Sequence, residues 1–75
     1  MRFAVMNKKA YERGTGVQHS LDIYRDYEPH EDAAYTLELD GEFVARTESR
    51  LEAIEEAEDT IKYYGWSHIS PLCFA

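Results

Sequence analysis

The sequence predicts a small single-domain α+β protein. Its antiparallel β-sheet is a hairpin over residues 35–46 joined by an N-terminal and a C-terminal strand, and one α-helix, about 49–64, packs on one face. Three observations predict this. Tyr35-Thr36-Leu37-Glu38-Leu39 alternates apolar and polar side chains, the period of a half-buried strand. Asp40-Gly41 then precedes Phe43-Val44-Ala45, and Asp-Gly between two such runs marks a tight hairpin because glycine accepts the positive φ of the turn. From Ser49 to Gly65 the apolar period changes to that of a helix.

In chain order, Arg2–Met6 reads as a short strand with Phe3 and Val5 on one face. Asn7 to Gly16 is polar, holds Lys8, Lys9 and Arg13, and contains Gly14-Thr15-Gly16, a turn or loop signal. Two glycines one residue apart do not cradle a phosphate, which needs a longer glycine pattern between a strand and a helix. Val17, His19, Leu21 and Ile23 alternate as in a strand, while Val17, Leu21 and Tyr24 also fit one helix face. The β-branched and aromatic content favours a strand from about Ser20 to Arg25. Glu28-Pro29-His30-Glu31-Asp32 reads as a loop, since the proline disfavours helix at the residue before it.

The hairpin register stays open. A two-residue loop pairs Leu37 with Val44, whereas a loop one residue longer or shorter puts Phe43 on the Leu37 face, and a one-residue slip reverses every side chain. The helix opens on Ser49-Arg50-Leu51-Glu52, a capping-box pattern. Its apolar stripe runs through Leu51, Ile54, Ala57 or Glu58, Ile61 and Tyr64. Glu58 and Lys62 are spaced for an ion pair one turn apart, and Gly65 stands where a left-handed C-cap is expected. Trp66-Ser67-His68-Ile69 alternates as a strand returning beside the hairpin, and Pro71 marks an edge or an interruption. A sheet with one helix across a face is the simplest layered arrangement of these parts.

Composition narrows the function. Seventy-five residues support one modest core. The single cysteine, Cys73, forms no intrachain disulfide, which fits a reducing cytoplasm. The N-terminal apolar run is too short for a signal peptide, and no stretch approaches a membrane span, so a soluble cytoplasmic protein is expected. The net charge of −7 argues against direct nucleic-acid binding, which depends on lysines and arginines, and suits a basic protein surface as partner. His19, His30, His68 and Cys73 lack the close spacing of metal ligands. His19, Ser20 and Asp22 are neighbours in sequence, yet catalytic pairs are defined by geometry. Nothing here argues for catalysis, a metal or a cofactor.

Two surface features stand out. Glu48, Glu52, Glu55, Glu56 and Asp59 form a carboxylate row on the outer helix face. Such a run is ordinarily a solvated face, but like charges at i,i+4 slightly destabilise a helix, which hints at another purpose: a phosphate-like surface. Tyr24, Tyr27, Tyr35, Tyr63, Tyr64 and Trp66 exceed what one small core buries. Tyr63-Tyr64-Gly65-Trp66 is the candidate anchor and contact segment, with Tyr63 and Trp66 as contact residues.

Ala45-Arg46-Thr47, Glu52-Ala53-Ile54-Glu55 with Ala57-Glu58, Gly65-Trp66, Pro71 and Cys73 together resemble the small RNA-polymerase inhibitor of T7-like phages. The likeness covers about the last third of the chain. It implies a strand, a helix opening near an A-x-T, a glycine-aromatic step and a closing strand. That family's closing strand carries arginines that contact the polymerase, whereas Trp66 to Phe74 has none. The resemblance therefore implies a small α+β protein of the kind phages use to occupy host machinery, acting in the host cytoplasm. The expected function is a non-enzymatic inhibitor, of anti-CRISPR, anti-restriction or polymerase-inhibitor type. Its partner would be a host protein with a basic, nucleic-acid-binding surface, bound by a monomer or small homo-oligomer. The alternative is an accessory or antitoxin-like subunit that self-assembles or pairs through a strand edge.

Overall fold

The computed structural model describes residues 2–26, 34–67 and the backbone of 73–74. Loop 28–32, His30, His68 and Pro71 lie outside the described residues. The elements run β1 (Arg2–Tyr11), β2 (Gln18–Asp26), β3 (Ala34–Leu39), β4 (Glu42–Thr47), α1 (Arg50–Tyr64) and the two-residue β5 (Cys73–Phe74). All sheet neighbours are antiparallel, in the order β4-β3-β2-β1-β5. The predicted α+β class is what the chain adopts.

The first strand is longer than expected, because the polar residues Asn7–Tyr11 continue it. A bulge between Ala4 and Met6 shifts the register on β2, so the alternation restarts. Met6 and Ala10 point under the helix and are buried, as is Lys8 on the same side. Phe3 stays half exposed, while Val5, at the bulge, is partly buried against the core. Glu12–Val17 closes the β1–β2 turn through Glu12 N–H to the Val17 carbonyl at 2.8 Å and Gly16 N–H to the Glu12 carbonyl at 3.0 Å. The uncertain middle stretch is a strand, extending the expected Ser20–Arg25 at both ends.

The second hairpin has a two-residue loop with Leu39 opposite Glu42. Asp40 (φ 52°) and Gly41 (φ 87°) are both left-handed, the conformation that matches the twist of paired strands. A bulge then makes Val44 the extra residue: Glu38 faces Phe43 while Leu37 faces Ala45. Neither sequence register anticipated this, since both assumed unbroken pairing.

Ser49 caps α1 by accepting the Glu52 N–H at 3.1 Å, as the capping box predicts. The helix lies over β2, β3 and β4. Its buried residues are Ala53, Ala57 and Ile61, with Ile54 half-buried, whereas Leu51 is 64% exposed and Tyr64 54% exposed. The apolar stripe is thus rotated by one alanine row from the predicted one. Alanines let the helix backbone approach Leu21, Ile23 and Leu37 closely, and the larger Leu51 is left at the flank. Glu58 and Lys62 do not close to ion-pair distance; the ion pairs among the described residues are Arg2 with Asp26 and Glu38, and His19 with Glu12 and Asp40. An exposed pair gains little from closing.

The chain returns beside β1, at the edge opposite the hairpin. Ser67 bridges Tyr11 through reciprocal backbone hydrogen bonds of 2.8 and 2.9 Å, and Cys73–Phe74 pairs with Met6–Asn7. The prediction of a strand beside the 35–46 hairpin is corrected accordingly: the described part of this segment pairs with β1, at the end of the sheet opposite β4, and His68 and Ile69 lie outside the described residues.

Candidate functional site

The site is built where the end of α1 meets the β3–β4 hairpin. Gly65 (φ 69°) ends the helix in the left-handed conformation. Its N–H reaches the Lys62 carbonyl at 3.1 Å and the Trp66 N–H reaches the Ile61 carbonyl at 3.1 Å, the paired bonds of a Schellman cap. This cap fixes the direction of Trp66. The indole stacks on His19 (centroids 4.0 Å apart, planes 8° apart) and on Tyr64 (4.5 Å, 11°). Two rings that near one centroid and that parallel cannot share a face, so His19 and Tyr64 sandwich Trp66. Tyr63 meets Tyr64 edge-on at 5.0 Å and 85°.

His19 points to the helix side of the sheet, with Leu21 and Ile23. Its Nδ1 lies 2.6 Å from Asp40 Oδ2 and its Nε2 lies 2.7 Å from Glu12 Oε2. Only the doubly protonated ring donates to both carboxylates. The Asp40 bond, and then the Glu12 bond, raise the His19 pKa above its ordinary 6.5. The same contact, with the Ser20 N–H, lowers that of Asp40 below its ordinary 3.8. Asp40 also ties the hairpin tip to β2, accepting the Ser20 N–H at 2.8 Å and donating its own N–H to the Ser20 carbonyl at 2.8 Å.

Ser20 and Asp22 point to the opposite face, where Asn7 Nδ2 donates to both, at 2.9 and 2.6 Å. The sequence neighbours His19, Ser20 and Asp22 therefore do not assemble into one site. That face also carries Arg2, which lies 4.1 Å from the Tyr24 ring centroid and pairs with Glu38 at 3.1 Å.

Between hairpin and helix end lies a cleft of about 570 Å³ lined by His19, Leu39, Asp40, Glu42, Phe43, Val44, Tyr64 and Trp66. A smaller cleft of about 280 Å³ adjoins it, sharing Leu39, Val44 and Tyr64 and adding Asp59 and Tyr63. Tyr63 is 82% exposed and Tyr64 54% exposed, so large rings stand in solvent beside this groove, whereas Phe43, paired with Glu38, belongs to the opposite sheet face.

Asp59, Tyr63 and Trp66, three of the expected contact residues, thus converge on the groove. Glu52, Glu55 and Glu56 are exposed farther along the helix, on the row that Asp59 ends, whereas Glu48, expected on the same face, is exposed just before the N-cap Ser49 and outside the helix. None of the five carboxylates takes part in an ion pair among the described residues. Sequence reasoning missed Phe43, Val44, Glu42 and the His19–Asp40–Glu12 clamp. The alternation Val17, His19, Leu21, Ile23 was a signal that His19 faces inward; nothing local announced its partners. No group of metal-ligating side chains occurs among the described residues, and no helix there is long and apolar enough to cross a membrane. Comparison with protein-family models, curated proteins and solved structures gives no match.

Proposed function

We propose that this protein is a non-enzymatic binding module whose acidic helix face and neighbouring aromatic groove dock on a basic, nucleic-acid-handling surface of another protein, as a phage or mobile-element inhibitor does. One observation carries the reading: a row of exposed carboxylates with no ion-pair partner among the described residues runs into the exposed rings of Tyr63 and Tyr64. Isolated charges keep a protein soluble, but charges bordering exposed rings make the rim and core of an interface. The test is capture from bacterial lysate, with and without duplex DNA as competitor. The expected result is retention of a basic protein that moderate salt or the DNA releases. It should be lost with the quadruple variant Glu52→Gln, Glu55→Gln, Glu56→Gln, Asp59→Asn. Equal retention by that variant removes the reading.

A second reading is self-assembly by strand pairing. It is favoured by β4, which has no neighbour on its outer side among the described residues and exposes Phe43 and Val44. Light scattering that shows a strict monomer over a wide concentration range excludes it.

A further inference from the structure

We propose that the groove between the β3–β4 hairpin and the end of α1 receives one arginine side chain of the partner protein, an anchor that rests on the docking role of the acidic face. The two adjoining clefts share an apolar wall of Leu39, Val44 and Tyr64, suited to the aliphatic stem of a long side chain. Each cleft has a further carboxylate in its lining, Glu42 in the larger and Asp59 in the smaller. Neither is engaged in an ion pair among the described residues, unlike Asp40, which His19 and Ser20 already occupy. No lysine or arginine lines either cleft, and the one ring that carries charge, His19, is neutralised between two carboxylates. The groove is therefore complementary to a cation. The cleft on the far side of Gly65 is not, because Arg13 and Lys62 line it together with Glu58 and Asp59.

The exposed rings select among cations. A guanidinium is planar and weakly hydrated, stacks on aromatic faces and forks onto carboxylates, whereas an ammonium is a strongly hydrated point charge. Tyr63 and Tyr64 are largely exposed, so an incoming side chain that covers them also buries apolar surface. The chain uses the same chemistry internally, with Arg2 over Tyr24 at 4.1 Å and Arg25 toward Tyr35 at 5.8 Å.

Trp66 is the only tryptophan and lines the groove, so its emission reports occupancy. The experiment titrates the intact protein with a blocked heptapeptide bearing one central arginine, and with its citrulline and lysine counterparts. The expected result is a saturable change in Trp66 emission with arginine. Binding should be roughly tenfold weaker with neutral citrulline, the scale of one lost charge-assisted hydrogen bond. The exposed variant Glu42→Gln should weaken the arginine peptide by a similar factor. No saturable change, or equal binding of arginine and citrulline, overturns the proposal, and equal binding of lysine overturns the choice of guanidinium. If the peptides fail while the quadruple helix variant still loses the captured partner, the anchor is wrong and the docking face stands; if both fail, both readings go.

Discussion

The Trp66 indole lies 4.0 Å from the His19 imidazole and nearly parallel to it, joining the residue after the helix cap to the second strand of the sheet. Because Asp40 and Glu12 hold the other edges of that imidazole, the contact ties together four pieces of chain: the β1–β2 turn, β2, the β3–β4 tip and the end of α1. The groove walls inherit their positions from this junction.

His19 should titrate above 6.5, because both carboxylates favour its charged form. A group whose pKa is raised on folding contributes stability that is complete below its unfolded value and is lost as pH rises through the folded value. Stability should therefore fall as pH rises past the His19 transition. Asp40, lowered on folding, contributes above its unfolded value, and that contribution is lost as acid protonates it. NMR titration of the His19 ring checks this, with Asp40→Asn moving the midpoint down. A midpoint at or below 6.5 in the wild type contradicts the clamp.

Gly65→Ala should destabilise the protein by about 1–2 kcal/mol, the cost of a left-handed backbone for a residue with a Cβ. No atom crowds the site, so the cost is conformational rather than steric. The variant should also shift Trp66 emission, since the cap aims the indole. Denaturant unfolding that matches wild type would show that the cap is not what ends the helix.

The helix stripe gives a paired test. Ile61 is buried and Leu51 is exposed, so Ile61→Ala should cost about 2–5 kcal/mol while Leu51→Ala stays within about 0.5 kcal/mol. Ala57→Leu should cost about 1–3 kcal/mol, because a larger side chain has no room between helix and sheet. The reverse order, with Leu51→Ala the most damaging, would restore the stripe that simple periodicity suggests.

The fold was legible wherever local chemistry decides it. Asp40-Gly41 announced a tight hairpin, Ser49 and Gly65 announced the helix ends, and β2 followed from alternation with β-branched and aromatic content. Illegible features depend on what one segment does to another. The bulges at Val5 and Val44 reset alternation without a proline or glycine to mark them. The choice of Ala53 and Ala57 over Leu51 reflects how closely a helix can lie on a sheet, which no hydrophobic period records. The site divided in the same way. Asp59, Tyr63 and Trp66 could be named from one helix end, whereas Glu42, Phe43 and Val44 join them only through the hairpin's placement. The His19 clamp spans 7 and 21 residues of sequence and needs the β2–β3 register to exist.

Neutralising the helix row should leave the fold intact. Like charges at i,i+4 repel, so the quadruple variant should be as stable as wild type or slightly more so, by a few tenths of a kcal/mol. A thermal melt checks this before any binding loss is assigned to the surface.

The most direct measurement is the affinity of the captured partner for the wild type and for the quadruple helix variant across a range of salt concentrations. The account predicts tight wild-type binding that weakens steeply with salt, and a variant that binds weakly with a shallow dependence. Equal affinities and equal slopes would contradict it, and would leave the carboxylate row as nothing more than a hydrated face.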